Sequence, residues 1–182
     1  VEGYVEKAKG MGLGVRLHAD EFTHCGGAAA AAQWQAASAD HLQFASDDDA
    51  KAMADAGVVA TMLPGTSLYT KIPYTNARRF LDAGCATAIA TDFNPGSCMI
   101  DDLAFLSVMA ALHCGFTIPE ALAAITIVPA YSLGRADRVG ALAKGYCADL
   151  GIYPTPSLED WFWNAGRVKP LQVMISGSPL RR

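Results

Sequence analysis

The chain has 182 residues, 52% of them hydrophobic, and a formal net charge of -4. That length and composition suffice for a sizeable core in one domain or one and a fraction. No basic cluster stands out beyond Arg181–Arg182, no stretch approaches the ~18 uncharged apolar residues of a membrane span, and no signal peptide is visible, so neither nucleic acid nor membrane is expected as a partner.

The first segment, "VEGYVEKAKGMGLG", places Glu2, Tyr4, Val5 and Lys9 at helical spacing, with Gly10 and Gly12 as a stop. It begins at Val1 rather than Met and is expected to lie part-way through a repeating fold. From there apolar runs alternate with helical patterns. "GVRLHAD" precedes "GGAAAAAQWQAA", and "ADHLQF" precedes "SDDDAKAMADAG". "VVATMLPG" is followed, after a loop, by "TNARRFLDAG", and "TAIATD" by "DDLAFLSVMAALHCG". The runs are nearly all apolar, as strands covered on both faces are. The helices end at Gly57, Gly84 and Gly115, the usual left-handed stops. Thr117 and Glu120 form a capping box for one further helix, "PEALAAITI", with Pro119 in its first turn. Strands alternating with helices predict βαβ units and a parallel sheet.

His18, His41, Pro64 and Asp92 close successive strands at intervals of 23, 23 and 28 residues. In a parallel barrel the chemistry collects at that end. No G-x-G-x-x-G or P-loop follows any strand, which disfavours a doubly wound nucleotide fold. The expected fold class is α/β: four strands, the C-terminal half of a (β/α)8 TIM-type barrel, over residues 1–137. From Arg138 the pattern changes. "VGALAKGYCADLGIY" predicts a turn and a strand, "PTPSLEDWFWNAG" a loop, and "PLQVMISGSPL" a strand ending at Gly177. Residues 138–182 are read as part of a small β-sandwich appendage.

Charged groups at three strand tops are costly unless paired or coordinated. Imidazole nitrogen with carboxylate oxygen suits zinc or iron. His18, His41 and Asp92 therefore predict a metal-assisted hydrolytic site. Several neighbours read as structural. Asp20 is expected in an inter-strand hydrogen bond, His24 capping the Gly26–Gly27 turn, and His113 as a core or surface residue. "SDDDAK" reads as an acidic first helical turn and Ala28–Ala32 as a packed helix. Trp161–Trp163 read as buried against the barrel or a dimer mate. Cys98 has no base beside it to make it a nucleophile. The five scattered cysteines form no C-x-x-C pair and suit a reducing compartment, the cytoplasm.

"HADEF", "SADHL", "ATDFNPGS" and "GALAKGYCADL" resemble the amidohydrolase superfamily, and "T-D-x-N-P-G-[ST]" resembles its imidazolonepropionases. The resemblance runs from about Tyr4 to Gly177 and implies a metal-dependent hydrolase. It implies one divalent or trivalent ion, zinc or iron, held by His18 and Asp92. It implies that His41 polarises a ring carbonyl, that Glu21 binds the ring and shuttles protons, and that Asp92 accepts the proton of water. Asn94, Gly96 and Ser97 would line the substrate pocket. The implied reaction opens the C–N amide bond of 4-imidazolone-5-propanoate to give N-formimidoyl-L-glutamate in histidine degradation, by a parent enzyme that is a homodimer. The family's H-x-H pair is absent from these 182 residues. The chain therefore reads as a C-terminal half with two of four metal ligands, inactive alone. A deaminase of the same superfamily and a non-catalytic fragment remain as alternatives.

Overall fold

A computed structural model describes residues 1–164 and 166–180; Arg181 and Arg182 lie outside the described residues. At its centre is a four-stranded parallel sheet of β1 (Arg16–Ala19), β2 (Ser38–His41), β3 (Val59–Met62) and β4 (Thr87–Ile89), in that spatial order. Arg16 lies opposite Ser38, Ser38 opposite Val59 and Ala60 opposite Thr87. Every residue of β3 and β4 is buried, which is why these strands read as apolar runs without alternation. β1, at one edge, is more open.

The helices return the chain from each strand to the next. They are α1 (Glu2–Gly10), α2 (Gly27–Gln33), α3 (Asp47–Asp55), α4 (Pro64–Thr70), α5 (Ala77–Asp82), α6 (Leu103–His113), α7 (Ile118–Ala124) and α8 (Ile127–Ser132). Small residues let α2 approach the sheet: Ala28, Ala31 and Ala32 are buried, and a Cβ on Gly27 would meet the Ala19 Cα at 2.9 Å. Met53, Phe80 and Leu106 fill the larger gaps between sheet and helices. Burying each such side chain stabilises the fold by about 1.5–3 kcal/mol.

Both capping boxes form. Ser46 accepts from the Asp49 N–H while the Asp49 carboxylate accepts from the Ser46 N–H. Thr117 and Glu120 do the same for α7. Gly57, Gly84 and Gly115 follow α3, α5 and α6 with φ of 69°, 84° and 87°.

Several segments differ from the reading of the sequence, among them "PLQVMISGSPL", which is not one strand ending at Gly177 but two, Gln172–Ile175 and Ser178–Pro179. The expected loop after β3 contains α4, started by Pro64 and buried through its first four residues. "PEALAAITI" is not one helix. α7 ends at Ala124, and α8 restarts after Thr126, whose φ of -127° and ψ of -89° break the run. The aromatic loop holds α9 (Leu158–Trp163), where Ser157 caps the Asp160 N–H. Phe162 is buried and Trp161 packs on the core, while Trp163 is exposed.

The last strands are β5 (Leu150–Ile152), β6 (Gln172–Ile175) and β7 (Ser178–Pro179), an antiparallel sheet. β6 turns into β7 through Ser176 and Gly177, both at positive φ. No helix among the described residues is long and apolar enough to cross a membrane.

Candidate metal and catalytic site

β1 and β2 bring two histidines together. His18, one residue before the end of β1, and His41, the last residue of β2, sit on adjacent parallel strands. His18 Nδ1 and His41 Nε2 are 2.8 Å apart, with ring centroids at 4.9 Å. Glu21 comes from the loop directly after β1. Its Oε1 lies 3.6 Å from His41 Nδ1, beyond hydrogen-bond range. His41 is 2% exposed, and its Nδ1 is buried without a hydrogen-bond partner. Ligand atoms from His18, Glu21 and His41 all fall within 4.8 Å of one another. Two imidazoles and a carboxylate form a donor set suited to zinc or iron, so this part of the site fits a metal ion.

Burial shifts both His41 and Glu21 toward their neutral forms. Burial holds the His41 imidazole below the usual histidine range; His18 adds to this, and Asp92 and Asp40 oppose it. Burial pushes the Glu21 carboxyl up, with His18 opposing and Asp92 adding. The His41 and Glu21 side chains approach without a hydrogen bond between them. A neutral imidazole can ligate a metal or share a hydrogen bond, and a carboxyl poised nearer neutrality can move protons.

Asp92 lies past β4, with φ of 48°. Its Oδ2 accepts a 2.5 Å hydrogen bond from Thr66 Oγ1 in α4. His41 and the next residue, Leu42, also have positive φ, 77° and 65°. Buried Thr75 donates to the His41 carbonyl at 2.6 Å. Left-handed backbone at non-glycine residues costs about 1–3 kcal/mol and persists only where surroundings impose it. His18 and Asp92 share the lining of a ≈ 400 Å³ groove with Asp40, Thr61 and Arg16. Arg16 is tied down there by Ser38 and Ser132.

Asn94, Gly96 and Ser97 form a tight turn outside that groove lining. The Asn94 amide donates to the Asp92 carbonyl and to Ser97 Oγ, and its oxygen accepts from the Gly96 and Ser97 N–H groups. Their immediate effect is to hold the loop that carries Asp92.

Two neighbours occupy other places than expected. The Asp20 side chain makes no inter-strand bond among the described residues; only the Asp20 carbonyl reaches across, accepting from the Phe44 N–H at 2.9 Å. Its carboxylate accepts from the N–H groups of Cys25, Gly26, Gly27 and Ala28, and so closes the start of α2. His24 does not cap the Gly26–Gly27 turn; it pairs with Asp49 Oδ2 at 3.0 Å. His113 stacks on Tyr74 at 4.6 Å. Thr66 and Thr75 were not read from the sequence as site residues. The only signal for Thr66 is its position just beyond a strand top, in "LPGT".

Comparison with known proteins adds family to geometry. The family model described as "Amidohydrolase family" matches residues 1–180. The chain belongs to the amidohydrolase family. This amidohydrolase is 44% identical over 160 residues to the imidazolonepropionase of Clostridium tetani, covering 88% of this chain and 38% of that protein. It is 46% identical over 173 residues to the imidazolonepropionase of Geobacillus kaustophilus, covering 95% of this chain and 41% of the relative. The chain thus spans about two fifths of the length of these curated relatives. Among solved structures, a zinc-bound adenosine deaminase from Xanthomonas campestris superposes with a TM-score of 0.81 at 21% identity, covering 98% of this chain and 48% of that one. A triazine hydrolase variant gives 0.80 at 20% identity, covering 98% and 46%. At such identities the likeness concerns the fold alone: a four-stranded parallel sheet with its helices, followed by a three-stranded antiparallel sheet.

Proposed function

We propose that this amidohydrolase contributes the C-terminal half-barrel of an imidazolonepropionase, which hydrolyses 4-imidazolone-5-propanoate to N-formimidoyl-L-glutamate. The reading is carried by the 44–46% identity to proteins of that name over nearly the whole chain. His18 and Asp92 line one groove, and His41 and Glu21 lie beside His18, which supports it chemically.

In this reading His18 and Asp92 hold one zinc or iron ion, with His41 and Glu21 beside it. The ion, when bound, supplies Lewis acidity toward water and carbonyl oxygen. His41, kept neutral by burial, donates a hydrogen bond to the ring carbonyl and steadies the negative charge that develops there. Asp92 takes a proton from the attacking water. Glu21 binds a ring N–H, and the proton that Asp92 takes from water passes through Glu21 to the nitrogen that leaves. The net change is addition of one water across the ring C–N amide bond, which breaks. Asn94, Gly96 and Ser97 would shape the pocket by holding the Asp92 loop. Residues 1–137 act as the barrel segment and 138–182 as the appendage. The free state of all five cysteines supports a cytoplasmic setting.

The test is turnover by the protein made from its complete gene, loaded with zinc or iron. Loss of 4-imidazolone-5-propanoate matched one for one by N-formimidoyl-L-glutamate is expected. Ammonia release from adenosine, guanine or cytosine, with the imidazolone untouched, would replace this reading by a deaminase.

A further inference from the structure

The Asp92 carboxylate sits on a loop, in a left-handed backbone conformation, yet it has to present one oxygen in a fixed direction. A loop carboxylate can rotate about χ2 unless something holds it. The strongest hold on Asp92 comes from α4. Thr66 is completely buried, in the first turn of that helix, and its hydroxyl hydrogen goes to Asp92 Oδ2 at 2.5 Å. That distance is at the short end of the charge-assisted O–H···O⁻ range.

Thr66 is itself closely packed. Pro64, Gly65 and Ser67 around it are all buried. A Cβ on Gly65 would meet Cys98 Sγ at 2.6 Å and the Leu106 side chain at 3.0 Å, so this turn is seated against the far end of the Asp92 loop and against α6. The Thr66 carbonyl is engaged by the Thr70 hydroxyl at 2.7 Å. A hydroxyl on so fixed a base accepts one carboxylate rotamer and rejects others. One oxygen of Asp92 is occupied by Thr66, and the other is left for the reaction.

We propose that Thr66 is a positioning residue for the Asp92 carboxylate, dividing its two oxygens between a structural bond and the chemistry. The role of Asp92 in that chemistry rests on the proposed function; the hold of Thr66 on its rotamer does not. Positioning partners one step removed from a metal or reacting group characteristically matter by 10–100-fold.

The experiment compares Thr66→Val, which keeps the shape and removes the hydroxyl, with Thr66→Ser, which keeps the hydroxyl. Both are made in the metal-loaded protein from the complete gene. Thr66→Val is expected to lower kcat for 4-imidazolone-5-propanoate by about 10–100-fold, with KM within about threefold. Thr66→Ser is expected to restore kcat to within about threefold of the parent. Equal damage in both variants would mean that Thr66 acts by packing alone and would overturn the proposal, as would a Thr66→Val kcat within about twofold of the parent. A crystal structure of Thr66→Val gives a readout that needs no substrate. A turned Asp92 carboxylate supports the role, and an unmoved one overturns it whatever the kinetics. If the parent consumes no imidazolone, the proposed function fails and the carboxylate rotamer still decides for Thr66. Should Thr66→Val not fold, Thr66→Cys, a far weaker donor, takes its place under the same thresholds.

Discussion

Asp92 and Asp20 show two uses of one side chain. Asp92 faces the groove with His18, and in the proposed reaction it both ligates and accepts a proton. Replacing it with Asn in the metal-loaded complete protein is expected to lower turnover on the order of 10³-fold or more, because two roles vanish together. Near-normal turnover at full metal occupancy would remove Asp92 from the chemistry. Asp20 is 1% exposed and binds four successive N–H groups. Asp20→Ala leaves these donors without their charged partner and is expected to destabilise by about 2–3 kcal/mol, read from urea midpoints. Burial pushes the Asp20 carboxyl up, but the N–H groups of Ala28, Cys25 and Gly27 hold it below its ordinary 3.8. The folded form then binds fewer protons than the unfolded form in acid. Its stabilisation is full above pH 3.8 and is lost as pH falls below that value. Asp20→Asn should flatten this acid limb, and an unchanged slope between pH 4 and 2 would refute the assignment. The placement of His18 and His41 at the ends of neighbouring strands was legible in the sequence because each closes a short run of strand length. The partners of Asp20, His24 and Asp92 were not, because they are set by how loops and helices approach one another, which no spacing encodes.

The helix α4 illustrates the same limit among elements. Pro64 marks a helix start as readily as a loop, and the first turn is helical because Gly65 lets it pack against Cys98 and Leu106. Gly65→Ala is expected to cost about 1–3 kcal/mol through overpacking. Cys98→Ala should recover part of that loss in the double variant, since the nearest clash is with its sulfur. Additive losses in a double-mutant cycle would show that the two positions are not coupled. The alternation of β1 to β4 with α2, α3, α5 and α6, by contrast, was readable in the sequence. It follows from apolar runs of strand length, glycine stops and the Thr117–Glu120 box, all local signals. The split of α7 from α8 was missed because "AAITI" carries no proline or glycine at the break.

For the molecule as a whole, β1 and β4 form the two edges of the parallel sheet, and neither has a further neighbour among the described residues. Unpaired parallel edges next to buried strands favour association. Residues 1–182 expressed alone are expected to elute as dimers or larger species and to leave 4-imidazolone-5-propanoate untouched, with no H-x-H pair to complete the metal site. Size exclusion beside a turnover assay decides this, and a monomer with strong activity would sink it. The strand order has another consequence. β1 pairs with β2, β2 with β3 and β3 with β4, so β2, β3 and β4 each pair with the strand synthesised just before them. Among the described residues each of these pairings closes a similar short length of chain. The sheet can therefore grow in the order in which it leaves the ribosome, with each new unit docking on a template already in place.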